Sequence, residues 1–367
     1  MYKFQEIIES CIDCGKCHDA CSVFMVTGNE DYTPQAKINV LSKIEAGEEL
    51  SQHELDNIYL STRCGACDDI CPVNIPITQI IQYERELLGK RDLEPTKTSH
   101  ISNNIMNKGS PGGMDRSARF DWVTEDLEIA ENADLAYMAG CWVSYSQPQI
   151  AQCTIKLLNH AGIDVQILKD ETCCGLFLID NGNIEKATEN ASKYLEYLET
   201  QNIKRLLTSC PGCYHVIKNE YKKLGLNPSF EVVYALDLLK ELFDDNIIVP
   251  KRPLDYNVSV RDACPIRDKK DVPRSILRSI GVNIKEMFNG QQVCCGGPAG
   301  LKPNFPKIAG DIALLSVNEY KKKADTLVSY CPFCLHHISD VCKSNEGENE
   351  LEMKDVVELV AESVLDQ

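Results

Sequence analysis

Apolar and polar positions follow a regular alternation in the second part of the chain. Between residues 133 and 225, the apolar runs "ADLAYMAGC", "IDVQIL" and "IKRLLTSC" alternate with the helical patterns "QPQIAQCTIKLLNHAG", "IEKATENASKYLEYLETQ" and "PGCYHVIKNEYKKLG". The segments "NVSVRDAC", "SILRSIG", "VNIKEMF", "ALLSVNEYKKK" and "TLVSYC" repeat this order between residues 257 and 331. Strands that alternate with helices indicate βαβ units and parallel sheets. The pattern therefore predicts two Rossmann-like α/β units.

The first 95 residues have a different pattern, which is mostly helical between two runs of cysteine. Pro34 suits the first turn of a helix, and Gly47 suits a helix end. Residues 96–133 are polar, and the glycines and proline of "NKGSPGGMDRSARF" indicate a linker or an ordered loop. The predicted fold class is mixed α+β and α/β, with a helical domain (1–95), a linker (96–133) and two α/β domains (134–250 and 251–367).

Cysteine positions show that the two α/β domains are copies of one unit. The first copy has Cys141, Cys173-Cys174-Gly175 and Cys210-Pro-Gly-Cys213, and the second has Cys264, Cys294-Cys295-Gly296 and Cys331-Pro-Phe-Cys334. Four matching landmarks lie 123, 121, 121 and 121 residues apart. A nearly constant offset of this kind indicates a duplication.

Each cysteine set falls where predicted strands end and helices begin, which is the usual place for sites in parallel sheets. Pro211 and Pro332 would each start a helix without losing a hydrogen bond. Free backbone N–H groups and the helix dipole at such a start favour an anionic thiolate assembly. Gly175 and Gly296 would let the backbone pass close to a bulky group.

Composition narrows the chemistry further. The chain has 19 cysteines, and its first residues, "MYKFQEIIESC", lack the basic start and apolar core of a signal peptide. In a reducing cytoplasm, that many cysteines indicates metal binding rather than disulfides. The net charge of −17 argues against nucleic-acid binding, although it leaves room for a local basic pocket. Because no run of 18 apolar residues occurs, we expect a cytoplasmic protein that meets a membrane only through a partner.

The N-terminal cysteines have the spacing of a two-cluster ferredoxin. "CIDCGKCHDAC" gives the full C-x2-C-x2-C-x3-C run, and "STRCGACDDICP" gives a second run followed by proline. A zinc site would need only two C-x2-C pairs. In two-cluster ferredoxins the fourth cysteine of each run serves the other cluster. One [4Fe–4S] cluster would use Cys11, Cys14, Cys17 and Cys71, and the other would use Cys21, Cys64, Cys67 and the residue in the place of Ser61.

Ser61 stands where the second run should have its first cysteine. Two explanations remain open besides the simple one that Ser61 is a helix cap and another residue binds the iron. Ser61 could bind iron as an alkoxide, or the fourth iron could be absent and leave a [3Fe–4S] cluster. Either would change the reduction potential, because cluster type and charge set it.

The duplicated pattern resembles the CCG motif, and two such motifs behind a two-cluster ferredoxin segment resemble the D-type subunit of heterodisulfide reductase from methanogenic archaea. The resemblance implies two noncubane [4Fe–4S] clusters, each bound by five cysteines. One would use Cys141, Cys173, Cys174, Cys210 and Cys213, and the other Cys264, Cys294, Cys295, Cys331 and Cys334. The second set has 29 residues between its first two members, against 31 in the first.

The resemblance also implies a reaction, the reduction of the CoM-S-S-CoB heterodisulfide, as in anaerobic methanogenesis. Electrons would arrive through the N-terminal clusters from a partner subunit of the flavin, hydrogenase, formate dehydrogenase or cytochrome type, because the chain has no nucleotide-binding fingerprint. The alternative is an electron-transfer subunit of a flavin-dependent dehydrogenase for glycerol 3-phosphate, lactate or glycolate.

A small anionic disulfide would need basic groups and proton donors near the clusters. Candidate binding residues are Arg261, Arg267, Lys269, Lys270, Arg274 and Lys302, which lie close in sequence to Cys264 or to the second CCG. His215 and His336, each two residues after a Cys-x-x-Cys, are candidate proton donors to the product thiolates. The alternative is that these are solvated surface charges and helix-face histidines. Cys153 and Cys342 fall on predicted helices, where packing is their expected role.

Overall fold

The computed structural model describes residues 4–288, 291, 293–344 and 352–365. A helical N-terminal part precedes two four-stranded sheets, in which every strand pair is parallel. The predicted fold class is therefore confirmed. We refer to residues 134–250 as the first repeat and to residues 251–367 as the second repeat.

The N-terminal part is a bundle of short helices around an aliphatic core that includes Leu41, Ile58 and Ile80. Pro34 occupies the first helical turn as predicted, and Thr33 caps that helix by accepting a hydrogen bond from the Ala36 backbone N–H at 3.2 Å. The helices are α1 (Phe4–Ile8), α2 (Lys16–Asp19), α3 (Ser22–Thr27), α4 (Pro34–Ile38), α5 (Leu41–Glu45), α6 (Gln52–Tyr59), α7 (Ala66–Ile70) and α8 (Ile77–Gly89), with a 3₁₀ turn at Glu30–Tyr32.

The segment predicted as a linker or ordered loop contains regular structure. It forms helix α9 (Thr96–Lys108) and a 3₁₀ helix (Arg116–Phe120). Arg119 and Trp122 are buried, and the 3₁₀ helix contacts the first helix of the first repeat. The helical periodicity of α9 was missed because "TKTSHISNNIMNK" is dominated by polar residues.

The first repeat has a sheet of order β2-β1-β3-β4. Its predicted strands and helices are present, although "IDVQIL" forms only a two-residue strand, and a fourth strand was not anticipated. The elements are β1 (Leu135–Met138), α10 (Cys141–Ser146), α11 (Pro148–His160), β2 (Gln166–Ile167), α12 (Leu176–Asp180), α13 (Ile184–Glu199), β3 (Arg205–Thr208), α14 (Pro211–His215), a π turn (Val216–Glu220), α15 (Tyr221–Lys223), β4 (Glu231–Tyr234) and α16 (Ala235–Asp244).

The second repeat has the equivalent order β6-β5-β7-β8. Its fourth strand was also unanticipated, because "EMKD" lacks an apolar pattern. The elements are β5 (Asn257–Arg261), a 3₁₀ helix (Cys264–Lys269), α17 (Asp271–Ser279), β6 (Asn283–Ile284), α18 (Leu301–Asn304), α19 (Pro306–Tyr320), β7 (Thr326–Ser329), α20 (Pro332–Ser344), β8 (Glu352–Asp355) and α21 (Val356–Val364).

The two repeats contact one another reciprocally. Helix α11 packs on α21 while α16 packs on α17, and α10 meets α20 while α14 meets the 3₁₀ helix that begins at Cys264. Tyr234 donates a buried hydrogen bond to the Tyr330 carbonyl at 2.6 Å across this boundary. Such exchange is expected of duplicated units related by an approximate twofold axis. It brings the cysteine-bearing ends of the two sheets toward each other.

No helix within the described part of the chain is both long and apolar enough to cross a bilayer.

Candidate metal centres

The four cysteines predicted for the first ferredoxin-type cluster line one cavity. They are Cys11, Cys14, Cys17 and Cys71, and Gln35 is among the other lining residues. Gln35 Nε2 lies 3.8 Å from Cys11 Sγ, and the Ile75 backbone N–H donates to Cys71 Sγ at 3.4 Å. Burial, and then the neighbouring Cys11, raise the pKa of Cys17 to about 11. Cys14 is exposed, so this cavity faces solvent.

A second cavity gathers the members of the other predicted set. Cys21 comes from the first run, whereas Cys64 and Cys67 come from the second. The structure thus brings the residues together in the crossed arrangement that the two-run spacing predicts. Which of them bind iron stays a prediction.

Ser61 lines this second cavity. Its Oγ accepts a hydrogen bond from the Arg63 backbone N–H at 3.2 Å. The following helix begins at Ala66 with Gly65 as its N-cap, so Ser61 is not the helix cap that the simplest explanation required. Its position at the cavity keeps both iron-related explanations open.

Lys37 is a residue of this cavity that no sequence motif singles out. Its side chain is fully buried, and Nζ donates to the Tyr32 carbonyl. Burial lowers the pKa of Lys37 to about 8, although the nearby Cys21 and Cys67 oppose this shift. A buried ammonium beside a cysteine cluster would compensate thiolate charge.

In the first repeat, the five predicted ligands form one buried cluster of thiols. Hydrogen bonds link Cys141 to Cys173, Cys173 to Cys174, Cys174 to Cys213, and Cys213 to Cys210. All five side chains are buried. The hydrogen bond with Cys173, followed by burial, raises the pKa of Cys141, and the hydrogen bond with Cys174 does the same for Cys213.

The second repeat gathers its five predicted ligands in the same way. Hydrogen bonds link Cys294 to Cys295, Cys295 to Cys334, and Cys334 to Cys331, and Cys264 interacts electrostatically with Cys294, Cys295 and Cys331. Burial raises the pKa of Cys264 well above its usual value. Cys264 is nevertheless partly exposed to solvent, whereas the other nine cysteines of the two sets are buried.

Local backbone geometry makes room for these sets. Gly140 has φ +78°, and a Cβ atom there would lie 3.1 Å from Cys213 Sγ. Gly175 and Gly296 have φ +88° and +91°, which side chains rarely tolerate. Cys213 and Cys334 lie in the first turns of α14 and α20, as predicted, each two residues after a proline that starts its helix.

The donor chemistry fits iron–sulfur clusters. Every cysteine is a free thiol. Within the described residues, no three His, Cys, Asp or Glu side chains converge as ligands of a single ion would. In a cluster, the thiolates are distributed over several irons, so its ligands surround a volume rather than a point. Several of these buried thiols have raised pKa values, whereas hydrogen bonds with neighbouring thiols lower the pKa of Cys174, Cys210 and Cys295. Iron would deprotonate the remaining thiols on binding.

Two residues beside the first five-cysteine set, Arg119 and Glu171, were not predicted from the sequence. Arg119 Nη2 donates to Cys141 Sγ at 3.5 Å and to the Gly109 carbonyl at 2.6 Å, while Nη1 pairs with Glu171 at 2.7 Å. Arg119 lies in the supposed linker, far in sequence from both partners. No sequence signal connects it to the site.

The predicted basic residues do not gather in one pocket. Only Arg261 lies within the second set, where it is buried and interacts with Cys334, Cys295, Cys294 and Cys264. The others are paired: Arg267 with Asp69, Lys269 with Asp237, and Lys302 with Asp340, each at 2.7 Å, and Arg274 with both Asp262 and Glu286. Lys270 is exposed. Their role in substrate binding stays a prediction.

The two predicted proton donors lie in different surroundings. His215 is partly exposed and contacts Glu220, with Nε2 and Oε1 3.2 Å apart. His336 lies against the Trp142 ring with centroids 4.7 Å apart, and burial lowers the pKa of His336. Trp142 follows Cys141 directly, so His336 reaches across the boundary between the repeats. Cys153 and Cys342 pack with the hydrophobic core.

The N-terminal part contacts the second repeat directly at its cysteines. The thiols of Cys64 and Cys294 share a hydrogen bond, and the Cys294 backbone N–H donates to Ser22 Oγ at 2.8 Å. The Arg267–Asp69 ion pair holds the same two parts together. The second ferredoxin-type cavity therefore adjoins the second five-cysteine set.

Comparisons with known proteins agree with this arrangement. The chain matches the cysteine-rich domain family CCG at residues 135–218 and 258–339, and the 4Fe-4S dicluster domain family at residues 7–75. It is 30% identical to the D-type subunit of the dihydromethanophenazine:CoB–CoM heterodisulfide reductase of Methanosarcina acetivorans, over 97% of this chain and 94% of that protein. It is 25% identical to the EtfAB:quinone oxidoreductase of Syntrophomonas wolfei, over 96% of this chain and 58% of that protein.

Among solved structures, a hypothetical protein from Helicobacter pylori resembles the whole chain with a TM-score of 0.58 at 10% identity, over 74% of that protein. This likeness concerns the fold alone.

Proposed function

Because the chain belongs to the family of D-type heterodisulfide reductase subunits, which are iron–sulfur oxidoreductases, we propose that it reduces a small anionic disulfide of the CoM-S-S-CoB type. The reaction takes two electrons and two protons and converts one disulfide into two thiols. The chain would act as the catalytic subunit of a complex whose partner supplies the electrons.

One observation carries this proposal: two five-cysteine sets lie beside helices through which the two repeats meet, since α10 contacts α20 and α14 contacts the 3₁₀ helix that begins at Cys264. A chain that only conducts electrons needs no matched pair of such centres. Two metal centres that face each other can instead bind the two sulfurs of one disulfide. Each cysteine set would then hold the centre that offers a binding site to one of the two sulfurs.

The protein's own residues would have three tasks in this reaction. The cysteines of each set would hold a noncubane [4Fe–4S] cluster, which supplies the electrons and a site for a substrate sulfur. Burial of nine of these ten cysteines would exclude water from clusters held there. His336, held against Trp142 at the boundary between the repeats, could donate a proton to a departing thiolate.

The contacts of the N-terminal part support a route for the electrons. The first ferredoxin-type cavity faces solvent at Cys14, and the second adjoins the second repeat through Cys64 and Cys294. A partner would therefore deliver electrons at the first cavity, and they would leave through the second. The cluster at the second cavity could be a [3Fe–4S] or a serine-ligated form.

The experiment that tests the proposal measures thiol release. Protein prepared without oxygen, as the isolated chain and as its native complex, is reduced with a viologen dye and then given CoM-S-S-CoB. We expect two thiols per disulfide consumed. Cys174→Ser should abolish release, whereas Cys153→Ser should not, since Cys153 is a packing residue outside both sets. Failure of both preparations to release thiol would overturn the proposal.

A second function is supported by the likeness to the EtfAB:quinone oxidoreductase. In that case the chain would pass electrons between a flavin protein and another carrier. The same preparations would then oxidise a reduced flavoprotein rapidly and leave the disulfide intact.

A further inference from the structure

Each five-cysteine set is accompanied by one buried guanidinium, but the two come from different parts of the chain. Arg119 reaches the first set from the 3₁₀ helix before the first repeat. Arg261 reaches the second set from the end of strand β5. Their relative exposures are 1% and 4%, so both charges act in a medium of low dielectric constant.

The charge of Arg119 is balanced. Glu171 pairs with it at 2.7 Å, and Glu171 also accepts hydrogen bonds from the Ala139 and Gly140 backbone N–H groups, both at 2.9 Å. Burial raises the pKa of Glu171, whereas Arg119 and these two donors oppose the rise and favour the ionised carboxylate. The first set therefore has a buried ion pair with no net charge beside Cys141.

The charge of Arg261 is not balanced in this way. Among the described residues, no carboxylate forms an ion pair with Arg261, although the Nε atoms of both arginines lack a hydrogen-bond partner. Neighbouring Asp262 is occupied by Arg274 at 2.7 Å and by the Tyr330 hydroxyl at 2.9 Å. The interactions of Arg261 are instead with the cysteines of its own set.

The duplication shows that this difference is a departure from symmetry. Arg261 ends β5 at the place where Met138 ends β1, and each lies three residues before the first cysteine of its set. Glu171 lies two residues before Cys173, and Gln292 has the corresponding place before Cys294. Gln292 lies outside the described residues, but by its residue type it has no carboxylate. The second repeat therefore has a cation at a position where the first repeat has the uncharged Met138.

We propose that Arg261 makes the cluster of the second repeat easier to reduce than that of the first repeat, where Glu171 cancels the charge of Arg119. An uncompensated cation stabilises the more negative, reduced form of a cluster. The favoured centre is also the one that adjoins the N-terminal part through Cys64 and Cys294. The second repeat would hold the first electron until the second arrives.

This inference rests on the proposed clusters but not on the proposed substrate, so the two can fail separately. The test is a redox titration followed by EPR, on oxygen-free protein without disulfide. Cys174→Ser and Cys295→Ser assign the signals to the first and the second repeat. Arg261→Met, which copies the first repeat, should lower the midpoint potential of the second centre and leave the first unchanged. Arg261→Lys should keep most of the wild-type value.

The reciprocal variant is Glu171→Gln, which should raise the midpoint of the first centre alone. Lys193→Gln, on an exposed helix face, is the control and should change neither. Glu171→Gln and Arg261→Lys conserve size or charge, so they remain informative if Arg261→Met does not fold. Equal midpoints in the wild type, or variants that shift both centres together or neither, would overturn the inference.

Discussion

The thiols of Cys64 and Cys294, which are 230 residues apart in sequence, share a hydrogen bond. This contact joins a ferredoxin-type cysteine run to a CCG cysteine pair without any residue between them. Metal binding would deprotonate both thiols, so in the loaded protein the contact would place one ligand of each kind of proposed cluster side by side. The first repeat makes no such contact among the described residues, and its Cys141 contacts Arg119 and the Gly109 carbonyl instead.

We expect Ser22 to hold the junction between the N-terminal part and the second repeat, where Cys64 meets Cys294. Its hydroxyl accepts the buried Cys294 N–H at 2.8 Å, and removal would leave that donor unsatisfied at a cost of about 1–3 kcal/mol. We expect Ser22→Ala to slow electron transfer from the N-terminal clusters to the second repeat, measured by stopped-flow absorbance after mixing with a reduced viologen. Ser10→Ala, which removes an exposed hydroxyl, is the control. An unchanged rate in Ser22→Ala would show that the junction does not depend on this bond.

Ser61→Cys should convert the cluster of the second ferredoxin-type cavity into an ordinary four-thiolate [4Fe–4S] cluster. Ser61 lines that cavity, and a cysteine would complete the usual set of four thiolates. We expect one additional iron, or a changed EPR spectrum, relative to the wild type. The exposed Ser42→Cys should have neither effect. A four-iron signal that Ser61→Cys leaves unaltered would contradict both iron-related explanations of Ser61.

Gly140 should be indispensable to the first set. An alanine there would bring Cβ to 3.1 Å from Cys213 Sγ in a backbone conformation (φ +78°, ψ 162°) that is nearly restricted to glycine. Gly140→Ala should therefore lose about one cluster of iron per chain. Gly162→Ala has a similar φ of +70° but nothing within 4 Å, so it should cost only about 1 kcal/mol of stability and retain its iron. Equal iron contents in the two variants would contradict this assignment.

The stability contributed by Glu220 should depend on pH. Burial alone would raise its pKa, but hydrogen bonds with His215 and Lys223 outweigh burial and lower the pKa to about 2. Because the folded-state pKa is depressed below the usual value of 4.5, this stability is present above pH 4.5 and is lost as the pH falls toward 2.

Glu220→Gln should accordingly be less stable than the wild type at pH 7, by at most about 3 kcal/mol. The difference should shrink below pH 4.5. Anaerobic urea unfolding at several pH values measures it, and loss of the clusters in acid affects both proteins alike. Glu196→Gln removes an exposed carboxylate and serves as the control. A difference that stays constant down to pH 2 would show that the paired form of Glu220 is not its cause.

The sequence predicted those parts of the molecule whose signals are local. Strand ends, helix starts after Pro211 and Pro332, and the duplication all follow from short patterns, and the structure has them. The crossed grouping of Cys21 with Cys64 and Cys67 followed from spacing alone. Strand β8 was missed because it is polar and lies at a sheet edge, where burial leaves little pattern.

Features made by distant residues could not be predicted in this way. Arg119 and Glu171 are 52 residues apart, and neither belongs to a motif. The partners of Arg267, Lys269 and Lys302 are carboxylates on other elements, so nearness to Cys264 in sequence said little about their surroundings. A fully buried lysine such as Lys37 looks like any helix-surface lysine until the tertiary packing is known.

The central claim is that ten cysteines between residues 141 and 334 hold two unusual clusters that face each other. Combined EPR and Mössbauer spectroscopy of fully loaded, oxygen-free protein tests it most directly. We expect two noncubane signals beyond those of the N-terminal part, one lost in Cys174→Ser and the other in Cys295→Ser, and both perturbed when CoM-S-S-CoB is added. Spectra that contain only cubane clusters, or zinc in place of iron in the two repeats, would contradict the claim.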